Sequence, residues 1–590
     1  MSKSVKSDLL TIAEKEEAKR EEELVIANKE KAKRELKYYI SYSYNHVKKH
    51  KKFYIVFVFI LVLFIYDCRK PELQPANTAV TKGPNGLIQQ ENIHYVSTLG
   101  NDANTGTQLS PWLTLAYACV HTTMPGDIIH VVTGTYNEVA QCNLVPGVSI
   151  IGDGVLTVIK AAYNSNPLFS LCSSQEGVDG SQSISYLNIN GNSRTGDMAI
   201  RVAGRKNVKV HDCTIIDFNS YGVKFEGRVD GRDGAPTVYA TGNEFSNNLL
   251  FNCSKYDDYG RGGLNIGGQD GMQIMNNNMS QVGRPRGTNG YVIKYSNMGY
   301  LKGVKIYNNT ITKEPYDGSA YDFAIEIWGV VGGLEICNNT ITGNTDLNDV
   351  SKGAYAYSVD FHHNMVGPTV LNTAHNETGV EIEPLLSDCS DVIIRNNYFK
   401  NLHYGFYCYN HQNNKNARNV YIYANIFDGM CMTGFDAQDC TSHIDNFNIW
   451  NNTAVSKGAL WGMILPGCCT STHFSVRNNI FVGYNSGPIN TYMGQPGSTI
   501  DIVSIENNCF YNNGYNNDPN WNGWGNNGVL PTNMTIKNNL KVNPMFVSTA
   551  DFRLQDASPV VGKGIKIDVI FKDYAGNEWV NPPSIGAYFL

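Results

Sequence analysis

Short apolar segments that contain paired asparagines recur along most of the chain, and their pattern predicts the secondary structure. Residues 392–399 (VIIRNNYF) and 503–510 (VSIENNCF) both place apolar residues in partial alternation around an Asn-Asn pair. Alternation with a period of two is typical of β-strands. Asparagine tolerates the left-handed backbone conformation that a sharp bend requires. Each segment therefore predicts a short strand that ends at a bend.

The asparagine sites recur at a nearly fixed interval. Neighbouring sites lie 27–34 residues apart, except for one interval of 58, which corresponds to two periods with one site unmarked. A fixed period of this length is the signature of a solenoid, and the absence of helical patterns favours a parallel β-helix. We expect the asparagine amides to stack as a ladder between coils. The sites are Asn243, Asn277, Asn309, Asn339, Asn397, Asn425, Asn452, Asn479, Asn508 and Asn539.

Most coils carry a second strand with an apolar–x–apolar pattern, whose middle residue should face outward. Successive coils would stack these middle residues about 4.8 Å apart. The predicted outward row is Arg201, Lys224, Asn265, Lys294, Glu326, Asp360, Glu381, Tyr407 and Asp436. Two positions further along, some of the same strands add Ser296, Trp328, His362, Glu383 and Tyr409.

Three carboxylates on adjacent rungs are the most informative feature of this row. Like charges stacked in a sheet are destabilising, so Glu326, Asp360 and Glu381 need a metal ion, shared protons or a nearby cation. Oxygen ligands at this spacing suit calcium. Alternatively, close carboxylates raise one pKa, as acid–base catalysis requires. A mixed row of charges is also typical of a solvated solenoid face, and this alternative stays open.

The clustering of acids, His362 and aromatic residues between residues 294 and 409 favours a functional site. The predicted catalytic residues are Lys294, Glu326, Asp360, His362 and Glu381. The predicted sugar-binding residues are Trp328, Glu383, Tyr407 and Tyr409, with Arg284 and Arg286 reaching in from a loop.

Charge is concentrated at the N-terminus. The 590-residue chain has a net charge of −6 and no basic stripe in its body, which argues against a nucleic-acid partner. Residues 1–52 predict a charged segment with a helix at 14–37. Residues 53–67 are mostly apolar and predict an export signal or membrane anchor. Cys68 follows directly as a candidate lipidation site, although Asp67 stands where a bacterial lipobox has a small residue, and a linker spans 68–92.

Both ends of the repeat region carry motifs of a known family. Residues 93–120 (IHYVSTLGNDANTGTQLSPWLTLAYACV) and 125–138 (PGDIIHVVTGTYNE) resemble the opening of extracellular right-handed parallel β-helix proteins. Residues 543–546 (NPMF), 551–564 (DFRLQDASPVVGKG) and 583–588 (PSIGAY) resemble their closing segment. The resemblance implies an all-β, right-handed parallel β-helix of the pectin lyase-like kind over residues 93–546. Residues 547–590 would then close it.

The family includes polysaccharide lyases, glycoside hydrolases, epimerases and members with no known activity. The resemblance therefore implies that the partner is a polysaccharide, while the N-terminal segment predicts an exported protein that is tethered at the surface. An enzyme would act by elimination at a uronic acid, with Lys294 as base and calcium on the carboxylates, or by hydrolysis between two carboxylates without metal. A non-catalytic glycan-binding adhesin or structural surface protein is the alternative. We expect a monomer rather than a trimer.

Overall fold

The computed structural model describes the body of the chain with several internal gaps. It covers residues 80–82, 88–90, 92–228, 238–254, 261–281, 291–296, 299–313, 323–369, 378–410, 415–437, 443–465, 470–490, 499–514, 532–570, 572–578 and 580–590. The predicted N-terminal helix, the hydrophobic segment, Cys68, Arg284 and Arg286 lie outside these ranges. Within them, no helix is long and apolar enough to cross a membrane. The described residues belong to one compact unit, Ala76–Leu590.

Three parallel sheets form a β-solenoid, as the repeat predicts. Successive coils contribute strands to the three sheets in turn, and within each sheet the strands pair with the equivalent strands of neighbouring coils. Crossovers between parallel strands are right-handed in nearly all proteins, which is the handedness we expect. A separate antiparallel pair, Val80–Lys82 with Ile88–Gln90, precedes the solenoid.

The strands of the three sheets are as follows. The first sheet contains Ile93–Val96, Ile128–Val131, Ser149–Gly152, Val178–Ser185, Arg205–His211, Glu244–Ser246, Gln273–Met275, Lys305–Tyr307, Leu334–Cys337, Val359–His362, Cys389–Arg395, Ala417–Tyr423, His443–Trp450, Thr470–Arg477, Thr499–Glu506 and Thr532–Lys537. The second sheet contains Gly134–Glu138, Thr157–Ala161, Asn188–Asn190, Thr214–Ile216, Leu249–Phe251, Asn278–Gln281, Thr310–Lys313, Thr340–Thr342, Met365–Val366, Tyr398–Lys400, Ile426–Asp428, Thr453–Val455, Ile480–Val482 and Cys509–Tyr511. The third sheet contains Cys142–Asn143, Phe169–Cys172, Met198–Ala203, Tyr221–Glu226, Gly262–Ile266, Tyr291–Tyr295, Phe323–Val330, Asn344–Val350, Thr378–Glu383, Tyr404–Asn410, Cys431–Ala437, Trp461–Ile464 and Gly487–Asn490, with the short strands Ala240–Thr241, Gln269–Asp270 and Leu301–Lys302 beside them.

Alternating apolar residues from all three sheets fill the interior of the cylinder. Aromatic rings on successive coils stack there, as Phe361, Phe399 and Phe427 do with ring centroids 6.3 and 5.0 Å apart. The helix Leu115–His121 packs against strands of the first coils and buries its apolar side. Thr114 caps this helix, because its side chain accepts a hydrogen bond from the Tyr117 amide at 3.2 Å.

Paired asparagines divide two tasks between them, which confirms the predicted ladder. The first member adopts a positive φ, which makes the bend; Asn338, for example, is exposed and has a φ of 57°. The second member, such as Asn339, is buried and bonds to both neighbouring coils. Its Oδ1 accepts hydrogen bonds from the main-chain and side-chain nitrogens of Asn309 at 2.9 and 3.0 Å, and its Nδ2 donates to the Ile306 carbonyl.

Two details of the predicted ladder change. The unmarked site within the interval of 58 residues is Asn364, which bonds to Asn397 and follows His363 instead of a first asparagine. His363 is exposed with a φ of 54°, so the bend replaces the alternation that would have pointed this side chain inward. The prediction for Asn243 was wrong. The ladder passes through Asn248, while Asn243 bonds to Val208, Arg205 and Gln269 at a neighbouring bend.

Asn339→Ala is expected to lower the free energy of unfolding by about 1–3 kcal/mol, because it leaves the buried Asn309 amide and the Ile306 carbonyl without partners. Asn338→Gly is the matched control, since glycine adopts the same positive φ without strain. We expect urea denaturation followed by circular dichroism to show the loss for Asn339→Ala alone. Equal losses in the two variants would contradict the division of roles.

The chain after Leu540 folds back along the outside of the bends. First-member asparagines donate side-chain hydrogen bonds to its carbonyls: Asn507 to Lys563, Asn478 to Ile565 and Asn396 to Asp573. Ile567, Ile570 and Phe589 of this segment form an apolar cluster with Trp450 of the first sheet. The C-terminal segment therefore spans several coils rather than only the last one.

Candidate functional site

The third sheet carries a row of charged and polar side chains in continuous register. Successive strands align the residues of this row as Arg201, Lys224, Asn265, Lys294, Glu326, Asp346, Glu381, Tyr407 and Gly434. The alternation therefore placed Lys294, Glu326, Glu381 and Tyr407 in one row correctly. Two of the predicted members differ.

The predicted position of Asp360 in this row was wrong. Asp360 and His362 belong to the first-sheet strand Val359–His362, where Asp360 pairs in register with Glu335 and Ile393. Arg395 binds the Asp360 carboxylate through two hydrogen bonds of 3.0 and 2.8 Å. The predicted calcium set of Glu326, Asp360 and Glu381 is therefore split between two sheets, and the predicted pairing of His362 with the row fails for the same reason.

Asp346 occupies the rung that the sequence assigned to Asp360. Its strand, Asn344–Val350, reads NTDLNDV and lacks the apolar–x–apolar pattern that marks the other strands. A single residue separates this strand from the preceding strand Thr340–Thr342. The coil therefore also lacks the loop that marks the start of a strand in other coils. The repeat period could have located this strand from the sequence, because one coil required a third-sheet strand between residues 328 and 380.

The second row, two residues further along, lacks the predicted His362 and gains Asn348 and Asp436. Trp328, Asn348 and Glu383 align on successive strands. Asp436 belongs here, because it pairs with Tyr409 while Gly434 pairs with Tyr407. The half-buried Trp328, Glu383 and Tyr407 border the more deeply buried charges.

Lys294 and Glu326 form a buried ion pair. Both residues are at most 6% exposed, although the strand alternation points them out of the core. Trp328 Nε1 donates a hydrogen bond to Glu326 Oε1 at 3.1 Å, and Lys294 Nζ lies 4.2 Å from the Tyr291 ring centroid. The lysine and the indole together stabilise the negative charge of the Glu326 carboxylate.

Asp346, Glu381 and Glu383 form a cluster in which one carboxylate oxygen of each lies within 4.8 Å of the others. Asp346 is 3% exposed and Glu381 7%. The Asp346 Oδ1 atom is buried without a hydrogen-bond partner, and Oδ2 accepts only a long bond of 3.4 Å from Asn348 Nδ2. We refer to these three residues as the carboxyl cluster.

Burial raises the pKa of every member of the cluster, and neighbouring carboxylates add to the effect. Burial and then the Glu383 charge raise the pKa of Glu381 to about 8. Burial raises the pKa of Glu383 to about 7. Burial, followed by the charges of Glu381 and Glu383, raises the pKa of Asp346 well above its ordinary range. The cluster therefore retains protons at neutral pH, which fits a general acid.

The same three residues fit a divalent cation better than the predicted set does. They offer several carboxylate oxygens, one of them orphaned, and hard oxygen ligands suit calcium. Protons and a cation would compete for these oxygens, because a bound cation favours the ionised carboxylates.

At the other end of the row, the buried carboxylate of Glu226 is paired with cations and a hydroxyl group. Glu226 Oε1 accepts from Arg201 at 2.6 Å, and Glu226 Oε2 lies 2.9 Å from Lys224 Nζ and 3.0 Å from Ser296 Oγ. These partners overcome the effect of burial and lower the pKa of Glu226. The contrast shows that the carboxyl cluster is not a general consequence of charges stacked on this sheet.

Comparisons with known proteins give no family assignment. No protein-family model matches the chain, and no curated protein matches it. Similar solved structures include the XylC complex with xylose, at 11% identity and a TM-score of 0.37, over 84% of this chain and 98% of that one. The pectate lyase Pel9A shows 14% identity and a TM-score of 0.29, over 86% and 98%. The tailspike protein of an E. coli bacteriophage, in complex with a pentasaccharide, shows 12% identity and a TM-score of 0.44, over 71% and 79%. At such values we take no residue role or activity from these proteins; strand pairing alone establishes the parallel β-solenoid.

Proposed function

We propose that this protein is a polysaccharide-degrading enzyme that hydrolyses glycosidic bonds at the third sheet. The observation that carries the proposal is an asymmetry between two carboxyl groups of one row. Glu381 holds a proton at neutral pH, while the charge of Glu326 is stabilised by Lys294. Carboxyl groups whose environments push their protonation apart are the usual acid–base pair of glycoside hydrolysis.

In this mechanism Glu381 donates its proton to the leaving glycosidic oxygen. Glu326 acts as the base that removes a proton from the attacking water. The two residues lie two rungs apart, about 9.6 Å along the sheet, which is close to the spacing of inverting enzymes. Asp346 lies on the rung between them, while burial and then the charge of Glu383 raise the pKa of Glu381 and keep its proton in place.

Lys294 serves here as a partner of Glu326 rather than as the base of an elimination. A lysine that contacts a carboxylate holds its proton, whereas a base must release it. Trp328 and Tyr407 supply flat, half-buried surfaces beside the cluster on which sugar rings can stack.

Elimination at a uronic acid is the second candidate, and the orphaned Asp346 Oδ1 is the observation that favours it. Calcium held by Asp346, Glu381 and Glu383 would supply the positive charge that neutralises a uronate carboxylate. The chain's own contribution would be to hold these three oxygens close together and to exclude water from them.

Export, surface tethering through residues 1–68 and a monomeric state belong to the same proposal. Export and tethering rest on the predicted signal or anchor segment and on Cys68, and the monomeric state rests on the resemblance to β-helix proteins. Glycan binding without turnover, as in an adhesin, is the outcome that the following experiment separates.

The full-length chain should release new reducing ends from one member of a panel of acidic and neutral polysaccharides. We expect no ultraviolet absorbance from an unsaturated uronate, no effect of a chelator, and activity that falls as the pH rises through about 8 and Glu381 loses its proton. Absorbance that a chelator abolishes would replace hydrolysis by elimination. Sugar retained without any product would show an adhesin.

A further inference from the structure

A second cluster of potential ligands lies on the first sheet, away from the carboxyl cluster. Glu335, Cys337 and His362 each place one donor atom within 4.8 Å of the other two. Cys337 and His362 are directly in register on neighbouring strands, and Glu335 lies two residues before Cys337, so its side chain points to the same face. The set combines a carboxylate oxygen, a thiol sulfur and an imidazole nitrogen.

The distances between these donor atoms match a tetrahedral metal centre. His362 Nε2 lies 3.2 Å from Glu335 Oε1, and Cys337 Sγ lies 3.8 Å from the same oxygen. Bond lengths of about 2.0 Å to nitrogen and oxygen and 2.3 Å to sulfur place tetrahedral ligands roughly 3.3–3.6 Å apart. The side chains therefore need little movement to surround a zinc-sized ion.

Neighbouring residues hold the donors in place. His362 Nδ1 shares a hydrogen bond with His363 Nδ1 at 2.8 Å, which fixes the ring and leaves Nε2 aimed at Glu335. A hydrogen bond on the other ring nitrogen is the usual support of a metal-binding histidine. Lys305 Nζ binds the Glu335 Oε2 atom at 2.7 Å, so Oε1 is the oxygen left for an ion.

The surrounding charges leave three protein ligands for one divalent ion, without a further carboxylate. Arg395 holds the Asp360 carboxylate, whose nearest oxygen is 4.0 Å from His362 Nε2. Cys337 is 7% exposed, and the Glu335 side chain is 20% exposed, so solvent reaches one side of the cluster. Three protein ligands with one solvent-facing position are typical of an open zinc site.

We propose that Glu335, Cys337 and His362 bind a zinc-class transition-metal ion, with a water molecule as the fourth ligand. The Cys337 thiol releases its proton to solvent when the sulfur binds the ion. This site lies on a different sheet from the proposed hydrolysis and does not depend on it. A sulfur and nitrogen donor set selects zinc or cobalt over calcium.

Cobalt(II) titrated into the metal-free, full-length protein is the test, followed by optical absorbance. We expect one cobalt per chain, a thiolate-to-cobalt charge-transfer band and visible bands of tetrahedral intensity. Cys337→Ser should remove the charge-transfer band, and His362→Ala should weaken binding at least tenfold. Zinc should displace the cobalt and bleach both bands.

Two control variants keep the test decisive. Cys389→Ser changes a different first-sheet cysteine, which is fully buried, and should leave the spectrum unchanged. Asp346→Asn changes the carboxyl cluster and should also leave it unchanged. A spectrum without sulfur bands, or one that Asp346→Asn abolishes while Cys337→Ser does not, would overturn the proposal.

Discussion

Glu381→Gln is expected to lower kcat by about 10²–10⁴-fold, because glutamine has the shape of the protonated acid but cannot donate its proton. Sugar contacts on Trp328 and Tyr407 remain, so KM should change far less than kcat. The variant should also lose the decline of activity as the pH rises through about 8. Steady-state kinetics across that pH range, on the substrate found in the polysaccharide panel, measure both effects.

Glu244→Gln provides the matched control for this prediction. Glu244 is a first-sheet glutamate that pairs with Lys209 at 3.1 Å, and it should leave kcat unchanged. Glu326→Gln should reduce kcat like Glu381→Gln, because the amide cannot accept a proton from the attacking water. A Glu381→Gln enzyme that retains wild-type kcat would remove Glu381 from the mechanism.

Asp346→Asn is expected to stabilise the protein at pH 8 while it lowers activity. The raised pKa values mean that the folded chain binds protons that the unfolded chain releases above pH 4.5. The free energy of unfolding is therefore highest, as far as these groups determine it, below about pH 4.5, and it declines as the pH rises to about 8. The amide neither buries a charge nor holds a proton that the unfolded chain would release, so it should raise the free energy of unfolding at pH 8.

Thermal unfolding at pH 4 and pH 8 tests this sign. The variant and the wild type should melt together at pH 4 and diverge at pH 8, with the variant higher. Asp391→Asn, a first-sheet change at a bend with a φ of 59° that asparagine tolerates, should show no such divergence. Added calcium that stabilises the wild type at pH 8, but not Asp346→Asn, would indicate that the cluster binds the ion. A variant that is less stable than wild type at pH 8 would show that Asp346 is not a strained charge.

The coils could be predicted because their signals are local. An asparagine pair sets both a bend and a buried amide within two residues. Asn309 and Asn339 can therefore be recognised from the local sequence alone. The ladder also explains the partial failure at Asn364, where His363 supplies the left-handed residue and hides the site.

The row on the third sheet was harder to predict because register is not local. Asp360 lies in the strand Val359–His362 and Asp346 in the strand Asn344–Val350, and only Asp360 has the apolar neighbours on both sides that are typical of the row. Asp346 is flanked by Thr345 and Leu347, since its strand is polar at positions where other coils are apolar. A site residue in an irregular coil is therefore the one that alternation misses.

The C-terminal segment that returns along the bends has a mechanical consequence. An open final coil of a solenoid would fray, exposing unpaired strand edges one coil at a time. Here the last fifty residues are stitched to Asn507, Asn478 and Asn396, and Ala587 donates its amide hydrogen to Thr453. A pulling force on Leu590 would act on coils that precede the end of the solenoid by several turns. The terminal coils would therefore not be the first to unfold.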